Sequence, residues 1–439
     1  MGIVTTAELT PGAGQEQDRV DVRDRADVRR QVRLLVVFGL VAALLLVFFL
    51  DIDDPTIRYV LGERISRDNP AREMEVTGLL AASLAVAVLA FVLAALNRVP
   101  RGAWGMVLYL LVGLAFFAGF IAWNYADQSG AVPSAFINPL PGTIRTATPI
   151  ILGALAGVLC ERAGVINIAI EGQFLMGAFC ASVASSLAYS AEMGLVGGIL
   201  AGVGMASLLG VFAMRYHVNQ VVLGVVLVAL ATGLTSFLLS QIPDDPEIKK
   251  YLNEPLILER IAIPGLSDVP VLGSTFFNQS LLVYLMYASV AFVAFLLFQT
   301  RWGLRVRSVG EHPKAADTVG IKVLRTRWQA VLLGGVFAGL GGAFYTVGST
   351  GSFDSGASAG NGFIALAAVI MGRWHPIGAT FAALFFGFML TLQSQLALVD
   401  KIPGELLRAS PYLATVIAVA GFVGRVRPPA ADGEPYVKS

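Results

Sequence analysis

Residues Ser280–Gly348 read SLLVYLMYASVAFVAFLLFQTRWGLRVRSVGEHPKAADTVGIKVLRTRWQAVLLGGVFAGLGGAFYTVG. An apolar run, Ser280–Gln299, gives way to a basic insert and then to a second apolar run, Trp328–Gly348. About 20 apolar residues let a helix cross the hydrocarbon core of a bilayer. Each run meets that length. The insert carries Arg301, Arg305, Arg307, Lys314, Lys322, Arg325 and Arg327 against only Glu311 and Asp317. Lys and Arg beside spans mark the cytoplasmic side. The stretch therefore predicts two membrane helices joined by a basic inner loop.

The same pattern extends in both directions. Further spans are expected at Arg33–Leu50, Thr77–Leu96, Trp104–Trp123, Ile168–Tyr189, Gly194–Met214, Val218–Ser240, Pro376–Leu398 and Ser410–Gly424. Ala147–Cys160 and Gly362–Met371 are shorter and read as tilted spans, half-helices or re-entrant pieces. The expectation is an all-α polytopic membrane protein with about 10–12 transmembrane segments, some of them broken or re-entrant. Composition agrees: 56% of the 439 residues are hydrophobic and 14% charged, with mean hydropathy +0.72. Soluble domains carry about 25% charged residues. A net charge of +1 gives no support for nucleic-acid binding. Two cysteines, Cys160 and Cys180, argue against a disulfide framework or thiolate metal site. The histidines His217, His312 and His375 are too scattered for a metal cluster.

Counting both short stretches as crossings puts four basic segments on one side. They are Arg29 to Arg33, Arg98 with Arg101, the 301–327 loop, and Arg425 with Arg427. That consistency favours twelve segments with both termini in the cytoplasm. The acidic loops Asp51–Val76 and Gln241–Gln279 fall on the other side. The chain divides into a mobile polar tail (1–32), an N-terminal membrane extension (33–145), a transmembrane core (146–424) with the inner loop 301–327, and a short C-terminal tail (425–439). The polar start is too long and mixed in charge for a signal peptide. ATPIILGALAGVLCERAGVINIAIEGQFLMGAF and NGFIALAAVIMGRWHPIGATFAALFFGF both pair a short apolar piece, a break and a long helix. This is a possible internal repeat of the kind that flanks transport pathways. Chance likeness of Gly- and Ala-rich membrane sequence is the other explanation.

Within the inner loop, Pro313 suits a first helical turn and Gly320 a stop. Between them Ala315, Ala316 and Val319 leave little bulk on a helix of about two turns. Such a helix can dock into a cytoplasmic partner and carry force. A solvated loop that only sets topology is the simpler reading on these grounds alone. EHPKAADTVGI resembles the coupling loop of ABC importer permeases, with Glu311, Pro313, Ala315, Ala316, Gly320 and Ile321 matching. ERAGVINIAIEGQFLMGAF and LLGGVFAGLGGAFY are similar to the same family in the same order. The resemblance covers about Thr146 to Val423. GNGFIALAAVIMGRWHPIGATFAALFFG, with Cys160-Glu161-Arg162 and Glu171-Gly172-Gln173, resembles the nucleoside branch, and simple-sugar permeases share much of the pattern. The resemblance implies a cytoplasmic ABC ATPase, a second permease subunit of identical or related sequence, and an extracytoplasmic substrate-binding lipoprotein. It also implies residence in the cytoplasmic membrane and a solute that is a nucleoside or, alternatively, ribose or galactose.

Polar side chains within apolar segments tend to face a protein interior or a cavity. On that basis Asn167, Glu171, Gln173, Asn219, Asn361 and Phe363 are candidates for a solute pathway. Glu171 can equally brace a broken helix, by accepting backbone N–H bonds or by pairing with Arg162. Asn167 shares a face with Glu171 if the helix has begun by then. Asn219 can instead cap its helix. GSTGSFDSGASAGNG is a gate or a connector. No catalytic constellation stands out and no cofactor is expected. No G-x-x-x-x-G-K-[ST] loop occurs, so ATP would be bound by partner subunits. An ion-coupled transporter would need several buried ionisable groups, and Glu171 is nearly alone.

Overall fold

Hydrocarbon offers no hydrogen bonds, so an apolar run must satisfy its backbone internally and becomes helix. Among the described residues, nine helices are long and apolar enough to cross a membrane. The computed structural model describes residues 13–60, 71–126, 136–242, 245–397 and 427–437, with a few positions between 399 and 409. The span expected at Ser410–Gly424 lies outside the described residues. The fold is that of an all-α polytopic membrane protein with short strands in its loops. The chain forms two compact units that meet in sequence at Ile137 and Asn138.

The first unit contains α1 (Ala13–Leu50), β1 (Thr56–Val60), β2 (Arg72–Glu75), α2 (Thr77–Ala95), α3 (Ala103–Tyr125) and β3 (Phe136–Ile137). Helical backbone already begins at Ala13, inside the segment expected to be a tail. From Gln15 to Arg33 no Gly or Pro intervenes, and a helix nucleated by an apolar run propagates cheaply. Phe38, Ala90, Ala94 and Val112 pack the three helices together. Both ends are tied by polar contacts. Arg101 pairs with Asp27 at 2.8 Å, and Trp123 Nε1 donates to the Asp51 carboxylate at 2.8 Å. β1 lies between antiparallel β2 and parallel β3, with Thr56 opposite Glu75.

The second unit begins with α4 (Leu140–Arg162), α5 (Ile170–Ala188), α6 (Ala191–Gly210) and α7 (Gln220–Ser240). Next come α8 (Pro246–Asn253), β4 (Arg260–Ala262), its antiparallel partner β5 (Asn278–Ser280), and α9 (Leu281–Gln299). The unit continues with α10 (Arg301–Glu311), α11 (Pro313–Thr318), α12 (Val323–Phe344), α13 (Asn361–Met371) and α14 (Pro376–Leu396). Over their most apolar stretch, 89% of α4 and 83% of α12 residues are buried, against 28–39% in α6, α7, α9 and α14. α4 and α12 are therefore the centre around which the others pack. Leu155, Leu159, Phe174, Phe337, Ala365 and Phe386 fill the space between them and their neighbours.

α4 runs well past the expected Ala147–Cys160. It starts at Leu140 because its polar first turns are satisfied within the helix. Thr143 Oγ1 donates to the Pro139 carbonyl at 2.9 Å, and Thr148 Oγ1 to the Ile144 carbonyl at 2.7 Å. α6 and α12 touch backbone to backbone, and a methyl at Gly335 would lie 2.8 Å from the Gly202 carbonyl oxygen. Without a hydrophobic force between helices in lipid, such small-residue contacts supply the packing. Of the two broken pairs, α13 before α14 is short at 11 residues, while α4 before α5 has 23.

Candidate functional site

Two places in the second unit gather the residues singled out by sequence. The first is the junction of α5 and α13. Glu171 stands in the first turn of α5, and its carboxylate accepts three hydrogen bonds from the start of α13. Ser358 Oγ donates at 2.6 Å, the Gly360 N–H at 2.9 Å and the Gly362 N–H at 2.7 Å. A carboxylate is favoured at a helix N-terminus by the dipole and the free N–H groups there. Here one carboxylate serves two such termini. Glycine is required at 362, where a methyl would lie 2.7 Å from the carboxylate. Arg162 does not pair with Glu171. Its Nε donates to the Trp374 carbonyl at 2.8 Å, tying the end of α4 to the α13–α14 turn.

Asn167 lies in the turn before α5, because the helix begins only at Ile170. It therefore does not share a helical face with Glu171. Its Nδ2 donates instead to Gln173 Oε1 at 3.2 Å. Both amides are fully buried, and among the described residues Asn167 Oδ1 and Gln173 Nε2 have no partner. Buried polar groups are normally paired, so these two atoms are exceptions. Asn361 opens α13, half-buried, with its N–H on the Ser358 carbonyl at 2.8 Å. Phe363 turns outward, 47% exposed. Asn219 is exposed and is used as a cap. Its Oδ1 accepts from the Val221 and Val222 N–H groups at 3.0 and 3.2 Å. Thus Glu171 and Asn361 meet at one junction, Asn167 and Gln173 meet in the adjoining turn, and Asn219 and Phe363 join neither.

Sequence reasoning missed Asn253. Its side chain accepts from Ser182 Oγ at 2.8 Å and from the Phe353 N–H at 2.7 Å, and donates to the Phe353 carbonyl at 3.1 Å. The Gly/Ser-rich stretch is thereby pinned at Phe353 by α8 and at Ser358 and Gly360 by Glu171. No local pattern signals this, since the partners are about 100 and 190 residues apart.

The second place is the loop between α9 and α12. Thr300 caps α10 by accepting from the Gly303 N–H at 3.1 Å. Pro313 opens α11 and Gly320, at φ +85°, ends it. The Gly320 N–H reaches the Asp317 carbonyl at 2.9 Å and the Ile321 N–H reaches the Ala316 carbonyl at 3.0 Å. This pair of bonds is the Schellman arrangement, and it needs a left-handed residue at Gly320. The two alanines part company. Ala316 is buried against Val309, Val323 and Tyr436, with Ile321 beside them. Ala315 is exposed, as are Glu311, Val319 at 75% and Leu304 at 58%. A cleft of about 440 Å³ runs between α10 and α11, bordered by Leu304, Ser308, Ala315 and Val319. Arg301, Arg305, Lys322 and Arg325 line the adjoining hollow. Small and apolar side chains ringed by positive charge suit a partner that inserts an apolar surface with an acidic rim.

The end of the chain was also missed. Residues 427–437 pack beside α10 and α11, and burial pushes the Asp432 carboxyl up to about 7 while Arg327 pulls it down. His375, outside the spans, is lowered by burial and by the nearby Arg162, and its ring stacks on Phe298 at 4.6 Å.

Known proteins resemble the chain over much of its length. The guanosine ABC transporter permease NupQ of Bacillus subtilis is 42% identical over 68% of this chain and 96% of its own length. The nucleoside ABC transporter permease NupC of Lactococcus lactis is 40% identical over 67% of this chain and 94% of its own. A putative glucose ABC transporter permease of Haloferax volcanii, TsgC13, is 33% identical over 58% of this chain and 76% of its own. No solved structure matches significantly. The model of the branched-chain amino acid transport system / permease component family matches residues 140–423, starting two residues beyond the boundary between the units. The chain therefore belongs to the branched-chain amino acid transport system / permease component family of ABC transporter permeases.

Proposed function

We propose that this chain is the membrane subunit through which an ATP-driven importer passes nucleosides into the cell. One observation carries the reading: over the aligned stretches the relatives named for guanosine and nucleosides are 42% and 40% identical, ahead of the relative named for glucose at 33%. A nucleoside presents a polar ribose and a flat base, which uncharged hydrogen-bonding groups can receive. The spare amide atoms of Asn167 and Gln173 are of that kind. The chain sits in the cytoplasmic membrane with both termini inside. A lipoprotein delivers solute at the outer face. Two cytoplasmic ATPases close on ATP and move α11 through Glu311, Pro313, Ala315, Gly320 and their surroundings. A second permease, identical or related, completes the pathway. ATP belongs to the ATPases, since this chain has no phosphate loop.

Competition for uptake tests the solute class. In cells expressing the importer, unlabelled adenosine, guanosine or cytidine is expected to suppress uptake of labelled guanosine, and ribose or glucose to have no effect. The simple-sugar reading rests on the 33% identical glucose-named relative. Uptake of labelled ribose or glucose, blocked by sugars and untouched by nucleosides, establishes it in place of the first.

A further inference from the structure

Residues 427–437 cross the end of the second unit that carries α10 and α11, and they touch four elements at once. The Ala431 N–H donates to the Gly310 carbonyl, near the end of α10, at 2.9 Å. The Ala430 N–H donates to the Glu311 carboxylate at 3.2 Å. Arg327, 1% exposed and early in the buried helix α12, donates through Nη1 to the Glu434 carbonyl at 2.9 Å. Gly433 lies so near the α4–α5 turn that a methyl there would stand 2.6 Å from Ile166 Cδ1. Tyr436, 7% exposed, closes the apolar cluster of Val309, Ala316 and Val323, and it faces the Asp317 carboxylate.

The composition RPPAADGEPYVKS gives no hint of this, for a Pro- and charge-rich end ordinarily stays loose. Its order here has a consequence for α11. A helix of six residues has no stability of its own. Ala316 is its one buried side chain, and a methyl reaches little by itself. The ring of Tyr436 completes the surface against which that methyl rests. Through the tail backbone the same ring is joined to Arg327 and to the turn leading into α5, where Asn167 lies shortly before Glu171.

We propose that residues 429–437 form a strap that positions the coupling helix α11 on α12 and on the α4–α5 turn. Tyr436 is its positioning residue. Displacement of α11 by a motor then reaches the buried helices through the strap as well as through the chain on either side of α11. The transmission part of this inference rests on α11 being the motor contact. The positioning part does not.

Hydrogen exchange on the full-length chain in lipid nanodiscs separates the two. Tyr436→Ala is expected to raise exchange of the 313–321 amides by roughly tenfold or more, leaving α4 and α14 protected. Tyr436→Phe keeps the ring and is expected to restore protection. Deletion of 429–439 should act like Tyr436→Ala, which guards against an effect peculiar to one substitution. Exchange over 313–321 that stays at the unmodified level in both variants overturns the strap. The second measurement uses the importer expressed from its native locus and purified with whichever ATPase accompanies it. Tyr436→Ala is expected to retain that ATPase while losing solute uptake per ATP hydrolysed. Uptake and hydrolysis falling together, at a constant ratio, overturns transmission. If the unmodified chain carries no ATPase, the motor reading of α11 fails, and the exchange result still decides the positioning role.

Discussion

Glu171 accepts three donors with one carboxylate at the meeting of two helix starts. Removing the acceptor strands Ser358 Oγ and two backbone N–H groups in a buried place, and each such loss costs about 1–3 kcal/mol. Glu171→Ala is therefore expected to lower stability by roughly 3 kcal/mol or more. Glu171→Gln should sit between, because its amide oxygen keeps part of the set and its NH2 opposes the rest. Thermal unfolding of the purified chain in detergent reads the order, with unchanged midpoints telling against the bracing role. Asp432 offers a prediction of another kind. Burial pushes its carboxyl up to about 7, above the unfolded value near 3.9, while Arg327 of α12 and a backbone hydrogen bond at Gly433 pull it down. The docked tail thus binds a proton that the free tail releases. Docking is strongest below about pH 4, weakens as pH rises toward about 7, and is flat beyond. Exchange of the 429–437 amides, corrected for intrinsic rates, is expected to quicken from pH 5 to pH 8. Asp432→Asn should abolish the trend, and a slope that persists in it assigns the effect elsewhere.

At the scale of elements, α11 separates what the sequence reading had joined. Ala315 and Ala316 look equivalent in EHPKAADTVGI, yet Ala316 faces its own chain and Ala315 faces out. Ala316→Trp should overpack the cluster with Val309, Val323 and Tyr436 and destabilise the chain by about 1–3 kcal/mol. Ala315→Trp should leave the unfolding midpoint in place and reduce retention of the ATPase on purification. The reverse pairing of outcomes would mean that α11 presents its other face. Which elements exist was legible wherever hydropathy changed sharply. The spans read at Thr77–Leu96 and Ser280–Gln299 are the helices Thr77–Ala95 and Leu281–Gln299. α4 was read short because Thr143 and Arg145 lower the hydropathy of its start, while the Thr143 hydroxyl is paired with the Pro139 carbonyl. The motif at 311–321 was legible because its stop requires glycine at a fixed place. The bonds from Asn253, Glu171 and the tail were not, since each joins residues more than 70 apart and no local pattern encodes such a partner.

For the molecule as a whole, the decisive matter is what supplies the energy. A carrier that works alone must hold its coupling ion on an ionisable group that is free to bind and release it. In the described spans Glu171 is already committed. The Glu171 carboxylate is filled by three donors and fixes α5 to α13, so protonating it would loosen that junction rather than load a carrier. Glu161 stands at the far end of α4, where its Oε2 accepts from Trp374 Nε1 and its Oε1 has no partner among the described residues. On our proposal the motor instead acts on the α10–α11 face, where Leu304, Ala315 and Val319 are exposed among Arg301, Arg305, Lys322 and Arg325. An exposed apolar group ringed by charge is stabilised by a partner. The chain reconstituted by itself in liposomes is therefore expected to take up no labelled guanosine under an imposed proton or sodium gradient. The complete importer with external binding protein and internal ATP should take it up without any gradient. Gradient-driven uptake by the single chain, abolished by Glu171→Gln, would instead make Glu171 the ion carrier and α11 a mere loop.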